Sequence, residues 1–333
     1  MKSSPDTFTT WIAGLRRWHG WLQLSTERAY MHDEEEYNRH YGVDAPDPAE
    51  GEGFCRLLEK EGVDTSGPAL EIGCGTGFLS HGIARHYPGP DYLITDPSPA
   101  FLRLTQEQFG PDFPGKTRRH FAVLNADDLG RLPDGMFSIV AMRSTLHHIL
   151  KVDEFVAAAA CCLRPGGALV MGAEPCESGY LLMAAVAQSI PNALKAAGVA
   201  MQPAWTAKLT EFTDTVQYCC NRDFDKTHAE DKHFFSTHEL ADLGTRHGLA
   251  LRFFPTATFR DYAPPFIPGF HCFSRFFLIY MEFCMRFEPA FMAQIRAHLM
   301  PQLNYIDECH RVHPGPAITG VFLLKKGALT QRE

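Results

Sequence analysis

The chain has no long apolar run, no C-x-x-C pair and no surplus of positive charge, and each absence removes a class of function. Of its 333 residues 45% are hydrophobic and 21% charged, and the formal net charge is −8. A nucleic-acid partner would need a basic face to meet its phosphates. Lys116, Arg118 and Arg119 make only a small basic spot, so neither DNA nor RNA is expected. No apolar stretch reaches the roughly 20 residues a bilayer-spanning helix needs, which argues against stable membrane insertion. Arg16, Arg17 and His19 interrupt the apolar residues that a secretory leader would keep together. The ten cysteines are scattered, with adjacent pairs at Cys161-Cys162 and Cys219-Cys220. Reduced thiols and a cytoplasmic location are the expectation. Cys309, His310 and His313 have metal-binding side chains but no second ligand pair, so no metal is expected.

What is present is one dense local signal and an ordered series behind it. Glu71-Ile72-Gly73-Cys74-Gly75-Thr76-Gly77 follows the apolar run Ala69-Leu70. Alternate glycines after a strand let the backbone turn sharply and approach a ligand with no side chain between. A dinucleotide loop would carry its third glycine at position 78, setting a helix N-terminus against a pyrophosphate. Phe78 stands there, and that fingerprint fails. Leu79, Ile83 and Tyr87 then recur at helical spacing. Tyr92-Leu93-Ile94-Thr95-Asp96 reads as a buried strand ending in a carboxylate, and Ser98 is placed to cap the next helix. Phe121 to Leu124 and Met136 to Ala141 give a third and a fourth strand. Val152 to Leu163 is a helix with Phe155, Val156 and Ala159 on one face, and Ala168 to Ala173 is a fifth strand.

This series resembles the class I S-adenosylmethionine-dependent methyltransferases, and within them the small-molecule branch of ubiquinone-biosynthesis and natural-product enzymes. The resemblance rests on E-x-G-x-G-x-G at Glu71 to Gly77, on Asp96 with Pro97, on Leu146-His147-His148, and on Arg164-Pro165-Gly166-Gly167 before the fifth strand. It implies an α/β fold: a doubly wound, seven-stranded Rossmann-like sheet with an N-terminal helical cap and two helical insertions. It also implies S-adenosylmethionine as cofactor. By the same resemblance Glu71, Gly73, Cys74, Gly75 and Gly77 cup the methionine portion, Asp96 accepts from the ribose hydroxyls, and Pro97 lies against the adenine. Asn125 and Ala126 would meet the adenine amino group and ring, with Asp127 the rival to Asn125. Arg143 joins the set because it leaves the carboxyl end of the fourth strand, where ligands of an open sheet gather. The chain departs from the family at Asn125 and Ser138, where an acid is usual.

Residues 1–62 are expected to form the helical cap, with Trp11, Leu15, Trp18 and Leu22 at helical spacing and Tyr30, Tyr37 and Tyr41 after them. Residues 63–327 form the core, interrupted at 175–234 and 262–314 by insertions expected to make a substrate lid. Ser236 with Glu239 is a capping box that restarts the core. Leu249 to Phe253 and Ala317 to Lys325 are its sixth and seventh strands. In the second insertion Phe266, Phe270, Phe273, Phe277, Tyr280 and Phe287 share a helical stripe opposite Arg275, Glu282 and Arg286. Such a stripe serves as core, as a wall of the acceptor pocket, as a subunit contact in a homodimer, or as a membrane-surface face.

Methyl transfer from a sulfonium is an in-line displacement. The protein must chiefly hold the acceptor about 3 to 3.5 Å from the methyl group and exclude water. An acceptor hydroxyl also needs a base. His147 and His148, after the fourth strand, and Glu174, at the end of the fifth, are the candidates. No Asn/Asp-Pro-Pro-Tyr follows the fourth strand, the motif with which relatives methylate amines of bases and amide side chains, and the paired-glutamate loop of arginine methyltransferases is absent. The reading is a small-molecule acceptor methylated on a hydroxyl or carboxyl oxygen. C- or N-methylation of a metabolite, and an S-adenosylmethionine-binding cyclase or regulator on the same fold, are the alternatives.

Overall fold

Strand residues of alternating parity are apolar on both sides, so the sheet they form must be covered on both faces. The computed structural model describes residues 5–27, 37, 39, 48–110, 113–115, 117–255, 273–312 and 315–327. Its strands are β1 (Arg17–Trp18), β2 (Trp21–Gln23), β3 (Ala69–Ile72), β4 (Asp91–Asp96), β5 (Arg118–Val123), β6 (Phe137–Arg143), β7 (Leu163–Pro175), β8 (Leu249–Phe254) and β9 (Thr319–Lys326). They make one sheet in the order β1-β2-β5-β4-β3-β6-β7-β9-β8. From β5 to β7 the strands run parallel, and β9 enters antiparallel between β7 and β8. The strand order reverses between β3 and β6, which opens a crevice at their carboxyl ends.

The helices are α1 (Pro5–Ala13), α2 (Pro48–Lys60), α3 (Ser80–His86), α4 (Pro99–Glu107), α5 (Val152–Cys162) and α6 (Glu177–Ala196). They continue as α7 (Pro203–Cys220), α8 (Thr237–Arg246), α9 (Phe273–Ile279), α10 (Pro289–His298) and α11 (Met300–Val312). Leu70, Leu93 and Val140 face a core closed by α1, α5 and α8. Their neighbours Ala69, Tyr92 and Ile139 face a second core closed by α2, α3 and α4. The sheet is doubly wound, as its sequence periodicity requires. Ser98 and Ser236 cap α4 and α8, their hydroxyls accepting from Phe101 N and Glu239 N. The α2–α3 crossing is tight: a Cβ on Gly51 would lie 2.0 Å from the Gly82 Cα.

Two departures from the sequence expectation concern the amino-terminal region and the strand count. Among the described residues the sheet has nine strands, the additional two being β1 and β2. Trp18 and Leu22 lie in this hairpin and not on a helix. His19 and Gly20 both have positive φ, at 47° and 91°, the two-residue turn that closes a hairpin. β2 then pairs in parallel with β5, Leu22 opposite Ala122. Tyr30 and Tyr41 lie outside the described residues. The Tyr37 ring stands 5.4 Å from that of Phe101 on α4.

Arg164 to Gly167, expected as a turn before the fifth strand, is absorbed into β7 as an irregularity: Leu163 pairs with Phe137, and pairing resumes at Ala168 with Ile139. Ser138 is fully buried and its hydroxyl accepts from Gly67 N at 2.9 Å. Serine there closes the loop before β3.

The two insertions meet. α6, α7, α9, α10 and α11 share a third apolar core, in which Phe212, Phe277 and Phe291 are at most 1% exposed. Of the aromatic stripe, Phe273, Phe277 and Phe287 are buried in that core, and Tyr280 packs edge-on against Tyr180 at 5.4 Å. Phe266 and Phe270 lie outside the described residues. No helix among the described residues is long and apolar enough to cross a membrane.

Candidate active site

Each element of the site leaves the carboxyl end of a strand. After β3 the chain turns through Gly73, Gly75 and Gly77 with φ of 71°, 51° and 80°, a left-handed conformation that only glycine adopts without strain. A Cβ on Gly73 would meet Thr145 at 2.7 Å and one on Gly77 would meet Gln108 at 2.4 Å, whereas one on Gly75 would meet nothing within 4 Å. The loop is clamped at both ends and open in the middle. Asp96, at the end of β4, fixes that middle. Its Oδ2 accepts from Gly75 N at 3.0 Å and its Oδ1 from Ser98 N at 2.8 Å. Thr105 Oγ1 donates to Gly75 O and Gln108 Nε2 to Thr76 O. Cys74 points into the core, 4% exposed, so only its backbone lines the loop.

Glu71 does not reach the open face. It is 1% exposed, and its Oε2 accepts from the Ser80 hydroxyl at 2.6 Å and from the Tyr92 hydroxyl. Burial pushes its carboxyl from 4.5 up to about 7, with Asp96 adding to the rise and the two hydroxyls opposing it. The native state therefore holds a proton that the unfolded chain releases between these values. This contribution to stability is fully present below pH 4.5 and is lost as pH rises through about 7, a total of roughly 3 kcal/mol. Glu71→Gln keeps an acceptor for both hydroxyls and removes the proton. Urea denaturation should show the variant gaining about 2 to 3 kcal/mol on wild type between pH 5 and pH 8. An unchanged difference would mean that Glu71 titrates normally.

On the adenine side of the expected cofactor, Pro97, Asn125 and Ala126 are half-buried and Asp127 is exposed. Asn125 Oδ1 accepts from Asp127 N at 3.2 Å, and Asn125 N donates to Ser25 Oγ at 3.0 Å. Asn125 thus caps the short helix Ala126–Arg131. Arg143, at the end of β6, pairs with Glu50 of α2 at 3.1 Å, and its guanidinium sits 4.0 Å from the Phe78 ring centroid. Arg143 therefore ties α2 to the residue after the glycine loop.

The three catalytic candidates are one assembly. Glu174 is fully buried. Its Oε1 accepts from Thr145 N and Leu146 N at 2.8 and 2.9 Å, and its Oε2 from His147 N at 3.3 Å, with His147 Nδ1 2.8 Å away. Two left-handed residues make this junction: Ala173 at φ 54° and Ser144 at φ 48°. Ala173 sits where β7 slips register against β9, which turns Glu174 toward the Leu146–His148 turn. Such strained non-glycine residues cluster where function fixes geometry. Burial alone would raise the Glu174 pKa, but His147 and the backbone donors outweigh it and hold it below the usual carboxylate value. Burial likewise opposes charge on His147, and Glu174 and Asp231 overcome it, so its pKa stands above the ordinary value. Burial and the neighbouring His147 push His148 down.

Glu50, Thr145 and Asp231 escaped the sequence reading. Asp231 belongs to a polar, irregular stretch at the end of the first insertion, where nothing in the spacing singles it out. Lys232 N donates to His147 O at 2.8 Å, which docks that stretch on the histidine turn. Cys309 is exposed and His313 lies outside the described residues. The described cysteines are all free thiols.

The glycine loop after β3 and the acid at the end of β4 meet at the carboxyl edge of the doubly wound sheet, with no phosphate fingerprint between them. Residues 70–169 match the family described as methyltransferase domain. Over 58 residues the chain is 45% identical to the malonyl-[acyl-carrier protein] O-methyltransferase of Magnetococcus marinus, covering 17% of this chain and 20% of that one. It is 27% identical over 157 residues to the reducing polyketide synthase Preu2 of Preussia isomera, covering 43% of this chain and 6% of that one. The chain thus spans a fifth or less of the length of these two relatives. Haemonchus contortus phosphoethanolamine N-methyltransferase 2, solved with S-adenosyl-L-methionine, superposes with a TM-score of 0.46 at 13% identity, covering 88% of this chain and 56% of that one.

Proposed function

We propose that this protein transfers the methyl group of S-adenosylmethionine to a hydroxyl or carboxyl oxygen of a small molecule. The observation that carries the reading is the glycine loop: clamped at Gly73 and Gly77, open at Gly75, and held against the Asp96 carboxylate. In this reading the methionine portion lies over Gly75, the ribose hydroxyls add to the bonds Asp96 already accepts, and Asn125 and Ala126 border the adenine. Thr145 touches Gly73 and begins the turn that Glu174 holds, so the imidazole of His147 adjoins the cofactor's reactive end. His147 faces the acceptor oxygen. Glu174, with no exposed surface, acts through His147 as a positioning residue. The O-methyltransferase name of the Magnetococcus relative supports an oxygen acceptor. The amino-terminal region and the two joined insertions close the cleft, keeping water from competing for the methyl group.

Incubation with isotope-labelled S-adenosylmethionine and a metabolite extract, followed by mass spectrometry, tests this. A product carrying the label as an O-methyl ether or ester is the expected result. A label on nitrogen or carbon overturns the oxygen assignment, and tight cofactor binding with no labelled product from any extract overturns the transferase reading.

A further inference from the structure

The rings of His147 and His148 and the carboxylate of Asp231 meet where the first insertion docks on the Leu146–His148 turn. Asp231 Oδ1 lies 3.6 Å from His147 Nε2 and 3.4 Å from His148 Nδ1. One ligand atom from each residue lies within 4.8 Å of the other two. Bonds of 2.0 to 2.2 Å in a tetrahedral site put neighbouring nitrogen and oxygen ligands about 3.3 Å apart, so two of the three edges already have nearly the length an ion would set.

The support behind these atoms is built. Glu174 holds His147 Nδ1 from a fully buried position and leaves the Nε2 lone pair directed outward. A carboxylate behind an imidazole is the arrangement that orients a metal-bound histidine. Exposure rises from 12% for the His147 side chain to 32% for His148 and 48% for Asp231, so the cluster opens toward solvent.

We propose that His147, His148 and Asp231 bind one divalent first-row transition ion, with its fourth position open to the acceptor side of the cleft. Two imidazoles and one carboxylate suit a zinc-like ion, whereas magnesium and calcium take oxygen donors. His148 Nδ1 also lies 3.1 Å from Glu230 O, a contact that the ion replaces. Because Asp231 comes from the first insertion, the ion also fastens that insertion to the histidine turn. The absence of any second ligand pair in the sequence had argued against a metal. Asp231 supplies the third ligand from a distance that sequence spacing cannot show.

The test uses the full chain, stripped with a chelator and titrated with Zn2+ by calorimetry and with Co2+ by visible absorption. One equivalent of ion with the spectrum of a low-coordinate nitrogen–oxygen site is expected. Asp231→Asn, which preserves size and fold, and His148→Ala should each weaken binding at least about 10-fold. Cys309→Ser combined with His310→Ala should leave it unchanged. Failure of wild type to take up a stoichiometric ion overturns the proposal. So does binding undiminished in both site variants, or binding lost with Cys309 and His310. The readout needs neither cofactor nor acceptor, so its failure is distinguishable from a failure of methyl transfer. Where the ion binds, it takes the outward His147 lone pair, and its open position faces the acceptor oxygen in place of the imidazole.

Discussion

Gly75→Val should reduce S-adenosylmethionine binding by more than about 100-fold in a chain that still folds. Gly75 has φ 51°, and a Cβ there meets no protein atom within 4 Å. The added side chain therefore enters the open space that the proposed function gives to the ligand, and the branched residue also resists the left-handed conformation. Gly75→Ala separates the two effects, since its single methyl carries little strain beyond that of the backbone. Asp96→Ala removes the acceptor of Gly75 N and Ser98 N together with the proposed ribose contact. Loss of charge-assisted bonds of this kind costs about 2 to 3 kcal/mol, or roughly 30- to 150-fold in affinity. Calorimetry checks all three variants, and unaltered binding in Gly75→Val and Asp96→Ala together would place the cofactor elsewhere.

Glu174→Gln should lower turnover by about 100-fold while cofactor affinity stays within about 2-fold. The amide oxygen can still accept from Thr145 N and Leu146 N, but the amide nitrogen now faces His147. Nδ1 must then accept and Nε2 must carry the proton, so the outward lone pair of His147 is lost by a change of tautomer. Glu174→Ala goes further and leaves buried amides and an imidazole unpaired, at about 3 to 5 kcal/mol of stability. A merely structural glutamate would show losses of stability and turnover that run in parallel across the two variants. In the present account turnover in the glutamine variant falls well beyond what the one backbone bond lost at His147 N accounts for in stability. Thermal unfolding measured beside single-turnover kinetics distinguishes the two.

The parallel core was legible because its signals are local. Buried apolar runs in β3 to β7, caps at Ser98 and Ser236, and three spaced glycines depend on neighbours in sequence. The amino-terminal hairpin was missed since Trp11, Leu15, Trp18 and Leu22 mimic a helical face. The stronger local signal, His19-Gly20 at a two-residue turn, outweighs that periodicity once β5 offers an edge to pair with. The inward position of Glu71 was hidden for a related reason: its motif position places it beside the loop, but the hydroxyls of Ser80 and Tyr92 draw the carboxylate inward. Ser138 stands where an acid is usual, and only the tertiary contact with Gly67 accounts for it. His147 and Glu174 were both legible as candidates. Their partnership was not, because it depends on two left-handed residues and a slipped strand register that no composition rule exposes. Asp231 lies furthest from reach, brought in by an insertion whose packing against its counterpart forms a core of its own.

The most direct test of the central claim is a crystal structure of the protein with S-adenosylhomocysteine. The account expects the ligand beyond the carboxyl ends of β3 and β4, its ribose hydroxyls bonded to Asp96, its homocysteine portion over Gly75, and its sulfur turned toward His147. A ligand bound away from the glycine loop, or a loop that stays empty at saturating concentration, would contradict it.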